Sequence, residues 1–236
     1  MKNSDKFLEF FSAIEKQLKK ITHLDSKSSF YQLIENASNK YHEVRHYKDD
    51  LKEYADLRNA IVHERSDSHV IAEPNEQAVI HLEKIKNNLL KPPKIYPTFK
   101  TDVLSFDTNS SIAEAVKAMH EHSFSQVPVI ENGQFKSILT ANTVTRWLGV
   151  NVKEDVFSLS ETTIDFVLKY SEKFERCEFI PKNQSIFKTI DLFHEIENKG
   201  CRLEAAFITE HGEKSEKIIG IVTLADFPKL LKKIYI

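Results

Sequence analysis

Apolar residues recur at helical spacing through the first third of the chain. Phe7, Phe11, Leu18 and Ile21 share one face, Phe30, Leu33, Ile34, Ala37, Tyr41 and Val44 form a second stripe, and Val79, Leu82, Ile85 and Leu89 a third. Asn75, directly before EQAVIHLEKI, has the place of an N-cap. No Gly occurs in this part and Pro74 is its one proline before the linker, so the pattern predicts long helices and almost no strand. LLKPPKIYPTFKTD follows, where Pro92, Pro93 and Pro97 favour extended backbone. A domain boundary placed there gives a helical domain over 1–91 and a second domain over 92–236.

Beyond the linker the period changes. Short runs rich in β-branched residues (VPVI, SILT, AAFIT, IIGIVT) alternate with helical stretches, which predicts strands interleaved with helices. The pattern also repeats: SIAEAVKAMHE at 111–121 aligns without a gap to SIFKTIDLFHE at 185–195, an offset of 185 − 111 = 74 residues. Each copy runs helix, strand, turn, strand, helix. Repeat one is placed at about 98–150 and repeat two at about 172–236, with a helical link over 151–171. The fold class is therefore α+β, an all-helical N-terminal bundle followed by a tandem pair of β-α-β-β-α repeats. Two such units packed as pseudo-twofold partners would bury sheet faces that neither covers alone.

Charge and cysteine usage narrow the partners. With 33 basic and 35 acidic residues the net charge is −2, so no global field draws the whole chain onto DNA or a membrane, and any anion site is local. No stretch approaches the roughly 18 apolar residues of a membrane span, and the N-terminus has no apolar leader pattern, so a cytoplasmic protein is expected. Cys177 and Cys201 form no cluster and read as apolar fillers. HEVRH at 42–46 matches the zinc-hydrolase pattern H-E-x-x-H in form. At about 100° per residue from Phe30, however, the apolar stripe centres near 350° while His42 and His46 fall at about 120° and 160°. Both are expected to face solvent, and no metal is expected.

Over residues 95–236 the chain resembles a tandem pair of CBS domains. The resemblance rests on the helix openings at Ser111 and Ser185, on VPVIENGQFKSILT with Pro128 in its strand, and on GIVTLADFPKLL. It implies a regulatory ligand rather than a cofactor: AMP, ADP, ATP or another adenosine compound, bound in a cleft between the repeats. In GIVTLADF a strand ends at Thr223 and a helix opens near Phe227, so backbone N–H groups are offered to a phosphate while Asp226 accepts from ribose hydroxyls. The plain alternative makes Asp226 an N-cap with Pro228 in the first turn. Repeat one departs from the pattern, since alignment places Thr140 at Thr223 and Thr143 at Asp226. The ribose acid is missing there, so that site is expected to be weak, altered or empty, and one competent site per chain is the preferred count. Arg146 and Lys229 occupy equivalent places, as phosphate neutralisers or as solvated helix residues. The same alignment puts Ile180 beside the adenine and Ala205 on the adjoining strand, or both simply in the core.

The first domain resembles the HEPN superfamily over residues 4–90. Its motif is LRNAIVHE at 57–64, in which Arg58 and His63 fit R-polar-x-x-x-H. Some members of that superfamily are metal-independent endoribonucleases, where Arg stabilises charge on the scissile phosphate and His moves protons. Five residues on an unbroken helix separate two side chains by about 140°, so a helix start near Arg58, or dimerisation, would be needed to aim both at one phosphate. The other reading is an interaction or homodimerisation domain in which Arg58 pairs with an acid such as Asp56 or Glu53 and His63 caps a helix end. Acidic and basic residues alternate here without a basic patch, so RNA is a partner only on the first reading. The CBS pair would then control the helical domain by nucleotide sensing, by gating cleavage, or, with no ligand bound at all, as a dimerisation scaffold.

Overall fold

A computed structural model describes residues 2–24, 27–63, 65–66, 69–70, 72–152, 158–173 and 175–235. The chain divides into two compact units, one of Met1–Pro93, Ser185–Asp191 and Leu230–Ile236, the other of Lys94–Gln184 and Leu192–Lys229. Among the described residues no helix is long and apolar enough to cross a membrane.

The first unit is built on α1 (Asn3–Thr22), α2 (Phe30–Ser38), α3 (His42–His46), α4 (Lys48–His63) and α5 (Glu76–Leu90), with a two-residue ladder of β1 (Arg65–Ser66) and β2 (His69–Val70) before α5. Most of the predicted stripe residues enter its core, Ile21, Phe30 and Tyr41 remaining only partly buried, and α4, where no stripe is read from the sequence, adds Leu51 and Ile61. Phe7, Ile14 and Leu18 of α1, Leu33 and Ile34 of α2, Leu51 and Ile61 of α4, and Leu82 and Ile85 of α5 are all fully buried. Each such side chain contributes about 1.5–3 kcal/mol against its exposed state. Ser29 and Gln32 close a capping box at the start of α2, and Asn75 caps α5 by accepting from the Ala78 N–H.

Two expectations fail in this unit. The ladder of β1 and β2 lies where no strand is read from the sequence. The stripe from Phe30 to Val44 is also not one helix, because α2 ends at Ser38 and Tyr41, extended at φ −114° and ψ 112°, precedes a new helix. The break resets the helical phase, so His42 and His46 do not face solvent as expected. His42 Nδ1 lies 2.6 Å from Asp191 Oδ2. His46 packs against Tyr47, Phe187 and Tyr235, its Nε2 3.1 Å from the Tyr235 hydroxyl. Burial pushes the His46 pKa down, against smaller upward pulls from Asp191 and Asp50. Among the described residues no three His, Cys, Asp or Glu side chains are placed to hold a metal ion.

The second unit contains two three-stranded sheets. The first is β3 (Phe106–Asp107), β4 (Gln126–Glu131) and β5 (Gln134–Thr140), with α6 (Ile112–His122), α7 (Ala141–Asn151) and α8 (Ile164–Leu168). The second is β6 (Glu175–Pro181), β7 (Arg202–Thr209) and β8 (Gly220–Val222), followed by a 3₁₀ turn at Leu224–Asp226; of the helices of this repeat, α9 (Ile186–Asn198) and α10 (Phe227–Tyr235), residues 186–191 and 230–235 belong to the first unit. In each sheet the first pair of strands is parallel and the second antiparallel. Ser111 and Ser185, 74 residues apart in the alignment, make the same cap, accepting from Glu114 N–H and Lys188 N–H. Asn132 and Gly133 both take positive φ, 52° and 78°, in the two-residue turn that suits the twist of the β4–β5 hairpin.

Ile112, Val127, Leu139 and Trp147 form the core of the first repeat, and Ile164 and Val167 of α8 pack into it. Residues 153–157 of the expected helical link lie outside the described residues. The sheets of the two repeats meet through Ile138, Ala205 and Phe207, with Phe135 and Phe179 against them. The Phe135, Phe179 and Phe207 rings stand 5.0–5.6 Å apart. Burial in this layer pushes the Cys177 thiol up to about 11, which suits an apolar filler rather than a nucleophile.

Candidate functional site

The GIVTLAD segment builds one wall of a cavity of about 470 Å³ in the second unit. β8 ends at Val222, and Asp226 turns its carboxylate back onto Thr223. Asp226 Oδ2 accepts from the Thr223 N–H at 2.9 Å and from Thr223 Oγ1 at 3.1 Å, so threonine and acid hold each other across the 3₁₀ turn. Lys229 follows in the first turn of α10. Its Nζ donates to the Thr98 carbonyl at 3.0 Å and lies 4.6 Å over the Phe99 ring. Repeat one supplies the rest of the lining: the apolar Phe99, Leu104, Phe124 and Pro128, with the charged Lys100 and Asp102 and the polar Thr101, Ser125 and Gln126 beside them. Phe124 is 46% exposed and stacks on His122, with ring centroids 5.3 Å apart. The 98–101 segment is laid directly on β8. Lys100 bridges to Gly220, and a Cβ on Gly220 would come within 2.3 Å of the Phe99 carbonyl oxygen. The close approach needs glycine for its lack of volume.

At the corresponding place in repeat one, β5 runs into α7 through Thr140, Thr143 and Arg146. Thr140 Oγ1 accepts from the Thr143 N–H at 3.0 Å, the ordinary cap. Both hydroxyls also face the carboxylate of Glu175, at the start of β6, at 3.2 and 3.0 Å. Arg146, aligned with Lys229 and read as a possible phosphate contact, is engaged by acids of this chain: Glu172 at 2.5 Å and Glu175 at 3.2 Å. Arg202 adds a contact to Glu175 at 3.4 Å and pairs with Glu204. The place expected to be weak, altered or empty thus holds a buried glutamate, whose side chain is 3% exposed.

Comparison with known proteins gives the repeat its family. Residues 99–150 match the model of the CBS domain. The chain contains a CBS domain. Solved structures of CBS proteins also match part of the chain, at low identity and with TM-scores below 0.5. A CBS-domain-containing protein of Agrobacterium tumefaciens is 19% identical, with 55% of this chain and 84% of that one covered and a TM-score of 0.41. A CBS domain-containing protein of unknown function from Kribbella flavida is 13% identical over 59% of this chain and 99% of that one, with a TM-score of 0.44. A CBS domain pair solved in complex with 5′-methylthioadenosine and S-adenosyl-L-methionine is 13% identical over 60% and 98%, with a TM-score of 0.43. No curated protein sequence matches the chain.

Of the CBS-region residues singled out from sequence, Thr223, Asp226 and Lys229 share the cavity of about 470 Å³, and Thr140, Thr143 and Arg146 meet around Glu175. Ile180 and Ala205 line neither; they are 3% and 0% exposed in the second sheet. Sequence reasoning passed over Phe99, Phe124 and Pro128 as wall residues, although a cleft between two repeats must take one wall from each. In the helical unit, α4 carries both Arg58 and His63 without interruption, so no helix start lies near Arg58. Arg58 Nη1 donates to Asn59 Oδ1 at 3.2 Å, and Asp56 instead accepts from the Tyr31 hydroxyl at 2.5 Å. Among the described residues Arg58 meets no carboxylate. His63 is the last residue of α4, and its side chain lies outside what is described.

Proposed function

We propose that this chain is a regulatory protein whose CBS region binds one adenine nucleotide in the Thr223/Asp226 cavity, and whose helical unit is an interaction and homodimerisation domain under that ligand's control. The observation that carries the reading is the pairing of opposite chemistries in one cavity of about 470 Å³. The strand-to-helix turn presents Asp226, Thr223 and Lys229, and repeat one adds Phe99, Phe124, Leu104 and Pro128 together with Lys100 and Asp102. A nucleotide is built the same way, with a flat apolar base at one end and ribose hydroxyls and phosphate at the other. Asp226 Oδ2 is held by Thr223, while among the described residues Oδ1 takes no hydrogen bond and is left to accept from a ribose hydroxyl. Lys229 and Lys100 supply positive charge for phosphate.

Control of the helical unit would work by population shift, the ligand favouring whichever arrangement holds the cavity walls best. Chain continuity supports the coupling: Lys229 lines the cavity, and the residues that follow it, Leu230–Ile236, belong to the helical unit. Titration calorimetry of the full chain with AMP and with ATP, beside Asp226→Ala, tests the binding step. Saturable binding near one site per chain that disappears in the variant is the expected result. Absence of binding to either nucleotide by folded protein would overturn it and leave a CBS pair that serves only as a dimerisation scaffold. Sedimentation of the full chain with and without AMP tests the second step, with a ligand-dependent change in dimerisation expected.

A further inference from the structure

The Glu175 cluster goes beyond that reading and stands apart from it. A carboxylate that is 3% exposed would be costly to bury alone. It is surrounded by donors. Thr140 Oγ1 and Arg146 Nη1 reach Oε1 at 3.2 Å each, Thr143 Oγ1 reaches Oε2 at 3.0 Å, and Arg202 Nη2 reaches Oε1 at 3.4 Å. Two hydroxyls and two guanidinium groups converging on a pair of oxygens form a socket for a small anion. Beside it lies a cavity of about 440 Å³, lined by Glu172, Cys201, Arg202, Phe193, Leu203 and Leu224.

We infer that Glu175 is a resident anion in the first repeat's turn site, an intramolecular ligand that occupies a phosphate-type socket and keeps it closed to free anions. Comparison of the two turn sites supports this assignment. At the repeat offset Glu175 corresponds to Thr101, since 175 − 74 = 101, and Thr101 lines the cavity of Thr223 and Asp226. In that cavity an acid, Asp226, sits on the turn, and the position equivalent to Glu175 is the neutral Thr101, flanked by Lys100 and Asp102. In the first repeat the turn is neutral and the facing wall brings the acid. Arg146 and Arg202 are neutralised from within, by Glu175 together with Glu172 and Glu204.

The test uses the full chain as wild type, Glu175→Ala and Glu175→Thr, the second restoring the residue present at Thr101 and suiting a strand. Inorganic pyrophosphate is the probe. Both variants are expected to melt below wild type in anion-poor buffer, as any broken ion cluster would. The socket reading adds a rescue. At a hundredfold excess over its dissociation constant, pyrophosphate raises the variants' midpoints by about 5–10 °C beyond any shift it gives wild type. Calorimetry then counts one more pyrophosphate site in the variants than in wild type, and adding Arg146→Ala removes it. Equal pyrophosphate response in wild type and in whichever variants fold would overturn the inference and leave Glu175 as a structural ion pair. Binding of AMP at the other cavity, present or absent, changes neither outcome, because the reading is the difference between variant and wild type.

Discussion

Replacing Gly220 by alanine adds one methyl group at the most crowded backbone approach found among the five glycines. Its Cβ would stand 2.3 Å from the Phe99 carbonyl oxygen, 3.2 Å from the Phe99 carbonyl carbon and 3.0 Å from Ile208 Cδ1. Carbon and oxygen need about 3.2 Å or more, so either β8 or the 99–101 segment must move by roughly 1 Å. Ile208 has a flexible end that can yield. Phe99 meets the methyl with its backbone, and that backbone is fixed by the Lys100–Gly220 bridge and the Thr101 N–H to Ile219 O bond of 3.3 Å. Inserting a methylene into such a site costs about 1–3 kcal/mol, which for a chain of this size lowers the melting midpoint by about 2–12 °C. Gly149, on the exposed side of α7 with nothing within 4 Å of an added Cβ, receives the same chemical change with opposite sign. There alanine should stabilise by about 0.5–1 kcal/mol through helix propensity. Thermal melts of Gly220→Ala, Gly149→Ala and wild type check both. Because Phe99, Lys100 and Thr101 line the cavity proposed to take a nucleotide, Gly220→Ala should also weaken any AMP binding there at temperatures where it is folded. A Gly220→Ala protein that melts at or above wild type would refute the steric argument.

Three further outcomes follow from the first unit. Asn88 is buried and donates to the Tyr47 hydroxyl at 2.7 Å and the Ile234 carbonyl at 3.2 Å, so Asn88→Ala should cost about 1–3 kcal/mol in urea unfolding, with Tyr47→Phe losing less because the second bond survives. Burial holds the His46 pKa below its ordinary value, so the unfolded chain binds that proton more readily. The stability from keeping the ring neutral is present above about pH 6.5 and is lost as pH falls below it; His46→Phe should flatten the fall in midpoint between pH 7 and pH 5, and an unchanged slope would count against the assignment. On the interaction-domain reading, full-length protein incubated with RNA in chelator should leave the RNA intact, since within one chain Arg58 and His63 lie about 140° apart on α4; cleavage that His63→Ala abolishes would overturn that reading and point to a site shared between protomers.

Local chemistry made much of the fold legible. The stripe on α1, the Asn75 cap and the 74-residue offset are all properties of short windows, and each reappears as an amphipathic face, a closed cap or a repeated β-α-β-β-α order. The break between α2 and α3 was not legible, because no Gly or Pro marks residues 39–41 and the apolar period runs through them. Tertiary packing decides there: Phe187 and Tyr235, far along the chain, give His46 an aromatic surface that outweighs the continuation of one helix.

The two turn sites show the same division at the level of chemistry. Thr223 and Asp226 are three positions apart, so their pairing across a strand-to-helix turn was readable from sequence, and the cavity holds both. The absence of an acid at Thr143 was equally readable, and alone it suggests a degenerate site. Glu175, whose carboxylate meets Thr143, lies 32 residues downstream on the first strand of the other repeat. Nothing local to either residue announces that meeting, since it depends on how two sheets pack through Phe135, Phe179 and Phe207. Position by position, Thr143 is the loss of a carboxylate. In the folded repeat pair a carboxylate is still there, supplied by the other repeat, and its two arginine partners are paired with it and with Glu172 and Glu204.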